Sequence, residues 1–240
     1  MDDATLRTEA RRNVLLAALP EEEQDLLNHR LEPVQLPLRL IIEEPDRPIE
    51  YAWFPHSGVV SIVSEMEDGG SVEVATVGRE GFVGLPLVLD ADAMPYRTLV
   101  QVPGKGERIP AAAFTALLPR LPTLHRLVLR YAMTLVTQIA QGSACNRMHP
   151  VEARCARWLL MTHDRVDSDP FPLTQEFLSQ MLGVTRPSVS IAAGMLQRAG
   201  LIQYARGTVR ILDRRGLEAA SCECYRIITD EFRRLVGTAV

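Results

Sequence analysis

Side chains able to meet phosphates and base edges cluster between residues 174 and 210: Thr174, Gln175, Thr185, Arg186, Ser188, Ser190, Arg206 and Arg210. An arginine can pair bidentately with guanine O6 and N7, while hydroxyls and amides reach phosphate oxygens. The spacing asks for a particular scaffold. Thr174 is placed as the N-cap of a helix whose Phe177, Leu178, Met181 and Leu182 share one apolar face. Gly183 stops that helix where a turn needs positive φ. Thr185 predicts a second N-cap, and Pro187 suits the first turn of a second helix. Val189, Ala192, Ala193 and Leu196 form its inward face, which leaves Arg186, Ser188 and Ser190 outward near its start. This is the pattern of a helix-turn-helix, whose second helix lies in the DNA major groove, although an ordinary helical hairpin shares it. Residues 201–204 and 208–212 then read as two strands around an Ala-Arg-Gly turn. Such a wing carries Arg206 at its tip and Arg210 on its second strand.

The elements before this stretch divide the chain by charge and texture. Residues 1–120 hold 11 basic against 20 acidic side chains, and residues 121–240 hold 15 against 10. An acidic half joined to a basic half suits a sensor attached to a DNA-binding unit, since phosphate contact supplies most non-specific affinity. The 47% hydrophobic and 23% charged composition is that of a globular chain. No apolar run reaches the roughly 18 residues of a membrane span, and the acidic start lacks a signal peptide's pattern, so a cytoplasmic location without membrane contact is expected.

Residues 5–30 read as helical, with a restart at Pro20 before three glutamates. Five short β-rich stretches follow, at 34–38, 49–54, 58–65, 71–77 and 98–102, with a hairpin turn at Asp68-Gly-Gly70. Their regular spacing predicts an antiparallel β-roll or jelly roll. The glycine-rich turn at 78–84 lacks the spacing of a phosphate loop. From Thr123 a long helix presents Leu124, Leu127, Val128, Tyr131, Leu135, Val136 and Ile139 at three- and four-residue steps. A symmetric partner helix would bury that stripe and give a homodimer; packing against the chain's own β domain is the alternative. Another helix is expected over 151–165 and one or two more over 214–240. The fold class is therefore α+β. A β-roll sensor domain with flanking helices occupies 1–120, a dimerisation helix 121–147 and a winged helix-turn-helix 148–240.

Nothing in the chain points to an enzyme, for there is no nucleophile elbow, no metal-spaced histidine pair and no motif-placed carboxylate pair. His29, His56, His125, His149 and His163 are scattered and read as solvated or hydrogen-bonded rather than ligating. Cys145, Cys155, Cys222 and Cys224 form no CxxC pair. They read as small buried hydrophobes with no metal, and a soft-metal or redox switch through Cys222 and Cys224 is the sharper alternative.

Residues 173–190 and 200–204, with the β-roll and long helix before them, resemble the Crp/Fnr family of bacterial transcription regulators, over about 15–217 of the chain. The resemblance implies a homodimer that reads a palindromic operator on double-stranded DNA, answers a signal at the β-roll and has RNA polymerase as a further partner. It also implies where this chain departs. Cyclic-nucleotide-binding members carry a Gly-Glu pair after a β-roll strand, whereas Gly81-Phe82-Val83-Gly84 stands here. Phe82, Gly84, Arg97 and Thr98 mark the expected effector pocket, in which Arg97 and Thr98 offer an anion a guanidinium and a hydroxyl. Without the carboxylate, tight binding of cyclic AMP or cyclic GMP is not expected, and no cofactor is. The iron–sulfur cysteines of oxygen-sensing members are absent, because no cysteine precedes Cys145. In the recognition helix Arg186 matches the family's first arginine, but Pro187 and Ile191 replace the residues that usually follow. The competing class is a protein-interaction module, in which the β-roll and winged helix bind protein partners instead of DNA.

Overall fold

A computed structural model describes residues 13–167 and 169–237. The helix expected over 5–12 lies outside those residues. Beyond it come two short helices, α1 (Val14–Ala17) and α2 (Glu21–Asn28). Asn13 is fully buried and caps α1 by accepting from the Leu15 and Leu16 amides, while its own amide donates to the carbonyls of Pro55 and Gly81. One side chain thus ties the start of the described chain to the β domain.

Seven strands follow: β1 (Glu32–Leu36), β2 (Ile41–Glu43), β3 (Tyr51–Pro55), β4 (Val59–Glu65), β5 (Ser71–Val77), β6 (Arg97–Val102) and β7 (Gly104–Pro110). They pair antiparallel in the orders β1-β7-β3 and β2-β6-β4-β5, and the inward residues of both sheets share one core. This is the expected β-roll, with the hairpin turn at Gly69 in place. The strands β2 and β7 were not expected. The sequence of β7, Gly-Lys-Gly-Glu-Arg-Ile-Pro, reads as a loop, yet it is the central strand of its sheet. Its glycines answer a packing need: a Cβ on Gly104 would stand 2.0 Å from the Ser57 carbonyl oxygen, and one on Gly106 would stand 2.6 Å from that of Phe54.

After α3 (Ala111–Leu117) runs the long helix α4 (Pro122–Met148). Leu121 cannot cap it. The Glu23 carboxylate, reaching over from α2, accepts from the amides of Thr123 and Leu124 at 2.9 and 3.0 Å. Burial opposes the charge, but these bonds prevail and hold the Glu23 carboxyl below its ordinary range. The stripe expected to face a partner must be corrected. Leu124, Leu127, Val128, Tyr131 and Leu135 are buried against the chain itself, and of that stripe only Val136 and Ile139 are exposed. Tyr131 packs on Phe82 from the β-roll and on Phe232 from the C-terminal helix. Gly81 permits the approach, since a Cβ there would lie 2.2 Å from the tyrosine ring. The face of α4 left open carries Leu129, Met133, Val136 and Ile139.

The rest comprises α5 (Val151–His163), β8 (Phe171–Pro172), α6 (Gln175–Leu182), α7 (Arg186–Arg198), β9 (Ile202–Ala205), β10 (Thr208–Ile211), α8 (Arg214–Ala220) and α9 (Cys224–Val236). The strands β8, β10 and β9 form a small antiparallel sheet beside the helices. α9 does not stay with this group. Ile228, Phe232 and Val236 join the core of the β-roll and α4.

Two polar junctions hold the halves together. Arg165, just past α5, meets Glu80 from the glycine-rich turn at 2.8 Å, with both side chains 2% exposed. On the neighbouring residue, Asp164, the carboxylate takes Arg214 at 2.6 Å and the Tyr225 hydroxyl at 3.0 Å, and the backbone carbonyl takes Arg79 at 2.9 Å. Further along, Trp158 of α5 donates to Glu73 of β5 at 2.8 Å, and Ser61 Oγ lies 2.7 Å from the same carboxylate. Part of Glu73 borders a cleft, but its carboxylate is enclosed, and burial pushes its pKa up to about 7.

Removing one partner of a sealed ion pair strands the other charge. Arg165→Met is therefore expected to cost about 3–5 kcal/mol of stability in denaturant melts, and the double variant with Glu80→Gln to recover part of it. A double variant that loses the sum of the two single losses would mean that the pair carries no coupling. Glu73 makes a prediction about pH. A carboxyl whose folded pKa is raised stabilises the fold fully below its unfolded value, and that contribution is lost as pH rises through about 7. Melts on either side of pH 7 should show Glu73→Gln losing less stability with rising pH than the parent chain; parallel curves would refute the assignment.

Candidate nucleic-acid interface

The local physics of the turn follows from its residues. Thr174 Oγ1 accepts from the Phe177 amide at 3.1 Å and caps α6. Gly183 ends that helix in the left-handed region at φ 60°. Val189, Ala192, Ala193 and Leu196 of α7 are all buried, as their spacing requires, and Pro187 sits in the first turn. Thr185 occupies the N-cap position but makes no cap; its hydroxyl lies 2.9 Å from Ser188 Oγ instead. The backbone amides at the start of α7 therefore keep free donors that side chains usually take.

The wing turns in two residues. Arg206 and Gly207 both have positive φ, 52° and 75°, and Thr208 pairs with Ala205 across the turn. That is the hairpin geometry whose twist matches the strands, and it holds an arginine where glycine or asparagine is usual. The turn leaves Arg206 exposed at the tip.

Of the eight side chains expected to meet DNA, Thr174, Gln175, Arg186, Ser190 and Arg206 share one concave surface between α6, α7 and the wing. Ser190 donates to Gln175 Oε1 at 2.6 Å, which fixes both on that surface. Arg186 lies 3.5 Å from Glu176, with both side chains about two-thirds exposed, a pairing too solvated to hold the guanidinium against a phosphate or a base. Thr185 and Ser188 stand at the head of α7, and exposed Arg210 lies on β10; none of the three enters the concavity. Sequence reasoning missed Gln197 and Tyr204, which also line it, with the Tyr204 amide donating to Gln197 Oε1 at 2.9 Å. It also passed over Met195, which with Ile191 is apolar and exposed on the outer face of α7.

The four residues expected around an effector are engaged with other partners. Phe82 fills a core of rings with Phe54, Phe114 and Tyr131. Gly84 packs on the backbone of Ala52. Arg97 is committed to Glu44 and Glu65 at 3.0 and 2.7 Å, and buried Thr98 donates to Glu43 at 2.6 Å. The space between the halves lies elsewhere. A cleft of about 230 Å³ opens between β5, α4, α5 and the end of α6, bordered by Glu73, Gln138, Arg157 and Trp158. No helix among the described residues is long and apolar enough to cross a membrane.

Residues 153–220 match the family model of the Crp-like helix-turn-helix domain. Similar solved structures include a Crp/Fnr family transcriptional regulator of Eubacterium rectale, at 16% identity and a TM-score of 0.66, covering 86% of this chain and 96% of that one. A CRP family regulator of Thermus thermophilus gives 20% identity and 0.63, covering 86% and 97%. The c-di-GMP responsive global regulator CLP of Xanthomonas campestris gives 18% and 0.62, covering 80% and 99%. No curated protein matches the sequence. Residues 153–220 thus match a Crp-like helix-turn-helix domain, on a chain whose fold is similar to that of Crp/Fnr family regulators.

Proposed function

We propose that this chain is a sequence-specific DNA-binding transcription regulator that acts as a homodimer and reads its operator through α7. The observation that carries this reading is the concave polar surface of a Crp-like domain, with Arg186 at the head of α7 and Arg206 at the wing tip. Arg186 is the base-reading residue, through guanine O6 and N7. Exposed Ile191, five residues further along, suits a thymine methyl group. Thr174, Gln175, Arg206 and Arg210 take phosphates, and Ser188 and Ser190 lie between the two kinds of contact.

The dimer forms through the open face of α4. Leu129, Met133 and Val136 are exposed at steps of four and three, and Ala140 and Ser143 continue the same spacing, which is that of a coiled-coil seam. The regulatory input reaches the cleft between β5, α4 and α5, where the β-roll meets the domain that reads DNA. Cyclic AMP and cyclic GMP are not that input, because Phe82 occupies the place of the ribose-binding carboxylate and is packed among rings.

Binding to a panel of operator variants tests the roles of the two arginines. Arg186→Ala is expected to erase about 1–3 kcal/mol of discrimination at one base pair per half-site. Arg206→Ala is expected to weaken all sequences alike and to lower the salt slope by about 1. Equal weakening on every sequence by Arg186→Ala would make it a phosphate contact. For the seam, Met133→Glu with Val136→Glu should give a monomer in sedimentation and weaken binding to a two-half-site operator by about 100-fold. A double variant that remains dimeric would place the interface elsewhere.

A further inference from the structure

Four side chains from two distant stretches converge at the C-terminal end of α4. Cys145 lies in its last turn, and His149 stands in the two-residue link between α4 and α5. Cys222 and Cys224 flank Glu223 where α8 passes to α9. Cys145 Sγ is 3.4 Å from Cys222 Sγ, and Cys224 Sγ is 3.5 Å from His149 Nδ1. All four donor atoms lie within 4.8 Å of one another, and all three thiols are buried and free of disulfides. A tetrahedral zinc ion, with bonds of about 2.3 Å to sulfur and 2.0 Å to nitrogen, sets its donors about 3.5–3.8 Å apart. The side chains already stand near those separations.

The histidine is oriented for the same task. Its Nε2 faces the Glu223 carboxylate at 3.2 Å, which leaves Nδ1 turned to the sulfurs. A carboxylate behind a ligating imidazole fixes its tautomer and raises its basicity. Arg154 and Arg157 on α5 interact electrostatically with the thiols and offset the charge that three thiolates would bring. Cys155 takes no part, being buried in the core of the DNA-reading domain.

We propose that Cys145, His149, Cys222 and Cys224 form a Cys3His site for a single zinc-class divalent ion, which clamps the link between α8 and α9 onto the end of α4. Loading exchanges the S–H protons of the three thiols for bonds to the ion, releases those protons to solvent and changes no oxidation state. The position gives the ion a structural consequence. It sits at the joint between α4 and the Crp-like domain, and both cysteines of the tail lie just beyond the segment that matches the family model. Arg154 also donates to the Leu182 carbonyl at the end of α6, so the charge at this site is felt next to the turn that positions α7.

The test is a titration of the reduced full-length chain with Co2+, followed by displacement with Zn2+, and it needs no DNA. The expected result is one Co2+ per chain with thiolate charge-transfer bands and the intense d–d bands of a tetrahedral site, all removed by Zn2+. Cys222→Ser and Cys224→Ser should abolish them, and Cys155→Ala should not. Glu223 is largely exposed, so Glu223→Gln leaves the packing intact; it should keep the tetrahedral spectrum with about 10–100-fold weaker affinity. A folded, reduced parent chain without tetrahedral bands would overturn the proposal, as would bands that survive both serine variants. Affinity untouched by Glu223→Gln would do the same, and so would recovery of an iron–sulfur chromophore in place of a single ion.

Discussion

Arg165 is sealed from water, and its guanidinium can be kept there only because Glu80 meets it at 2.8 Å while the Met161 carbonyl accepts a second bond. A buried charge without such partners would cost several kcal/mol. The requirement reaches far along the chain. Glu80 belongs to the turn that follows β5, so that turn must come down onto the end of α5. Gly78 lies directly against the Arg165 side chain, and a Cβ there would stand 2.5 Å from it. Gly81 then admits the Tyr131 ring of α4, and the neighbouring Asp164 gathers Arg79, Arg214 and Tyr225. The β-roll, the long helix, the helix-turn-helix domain and the tail all touch this one junction. The glycine-rich turn thus packs on the end of α5, and α5 carries the packing surface of α7.

The long helix serves two surfaces at once. Its inner stripe is filled by the β-roll turn and by α9, which returns from the far end of the chain to lay Phe232 on Tyr131. Its outer stripe, from Leu129 to Val136, is apolar and open. A helix that is apolar on both sides gives a periodic signal without saying which side is internal. That is why the residues expected to face a partner turned out to be core. The turn-helix signals were legible because their causes are local: the cap at Thr174, the left-handed residue at Gly183 and the proline at the head of α7 each act within a few residues.

Other features were not legible because their causes are distant in sequence. Arg97 reads as a free cation until Glu44 and Glu65 are brought beside it by two other segments. Gly104 and Gly106 read as breakers until the backbone of residues 54–58 is laid across them. The thiols form no local motif, since Cys145 and Cys222 are 77 residues apart and meet only because the chain doubles back before α9. The one local trace was Cys222-Glu-Cys224, two thiols one residue apart, which left a soft-metal or redox switch open without showing what would complete it. Glu73 gave no signal either, for its environment is made by Ser61 and Trp158 from two other elements.

The central claim is that α7 reads a particular sequence in a symmetric pair of half-sites. The most direct test is selection of bound sequences from random duplex DNA by the purified chain at low and at physiological salt. The expected result is an inverted repeat whose half-sites lie about 34 Å, one helical turn, apart and which persists at the higher salt. Recovery of no common sequence, with binding that vanishes as salt rises, would leave only electrostatic attraction to phosphates and would contradict the account.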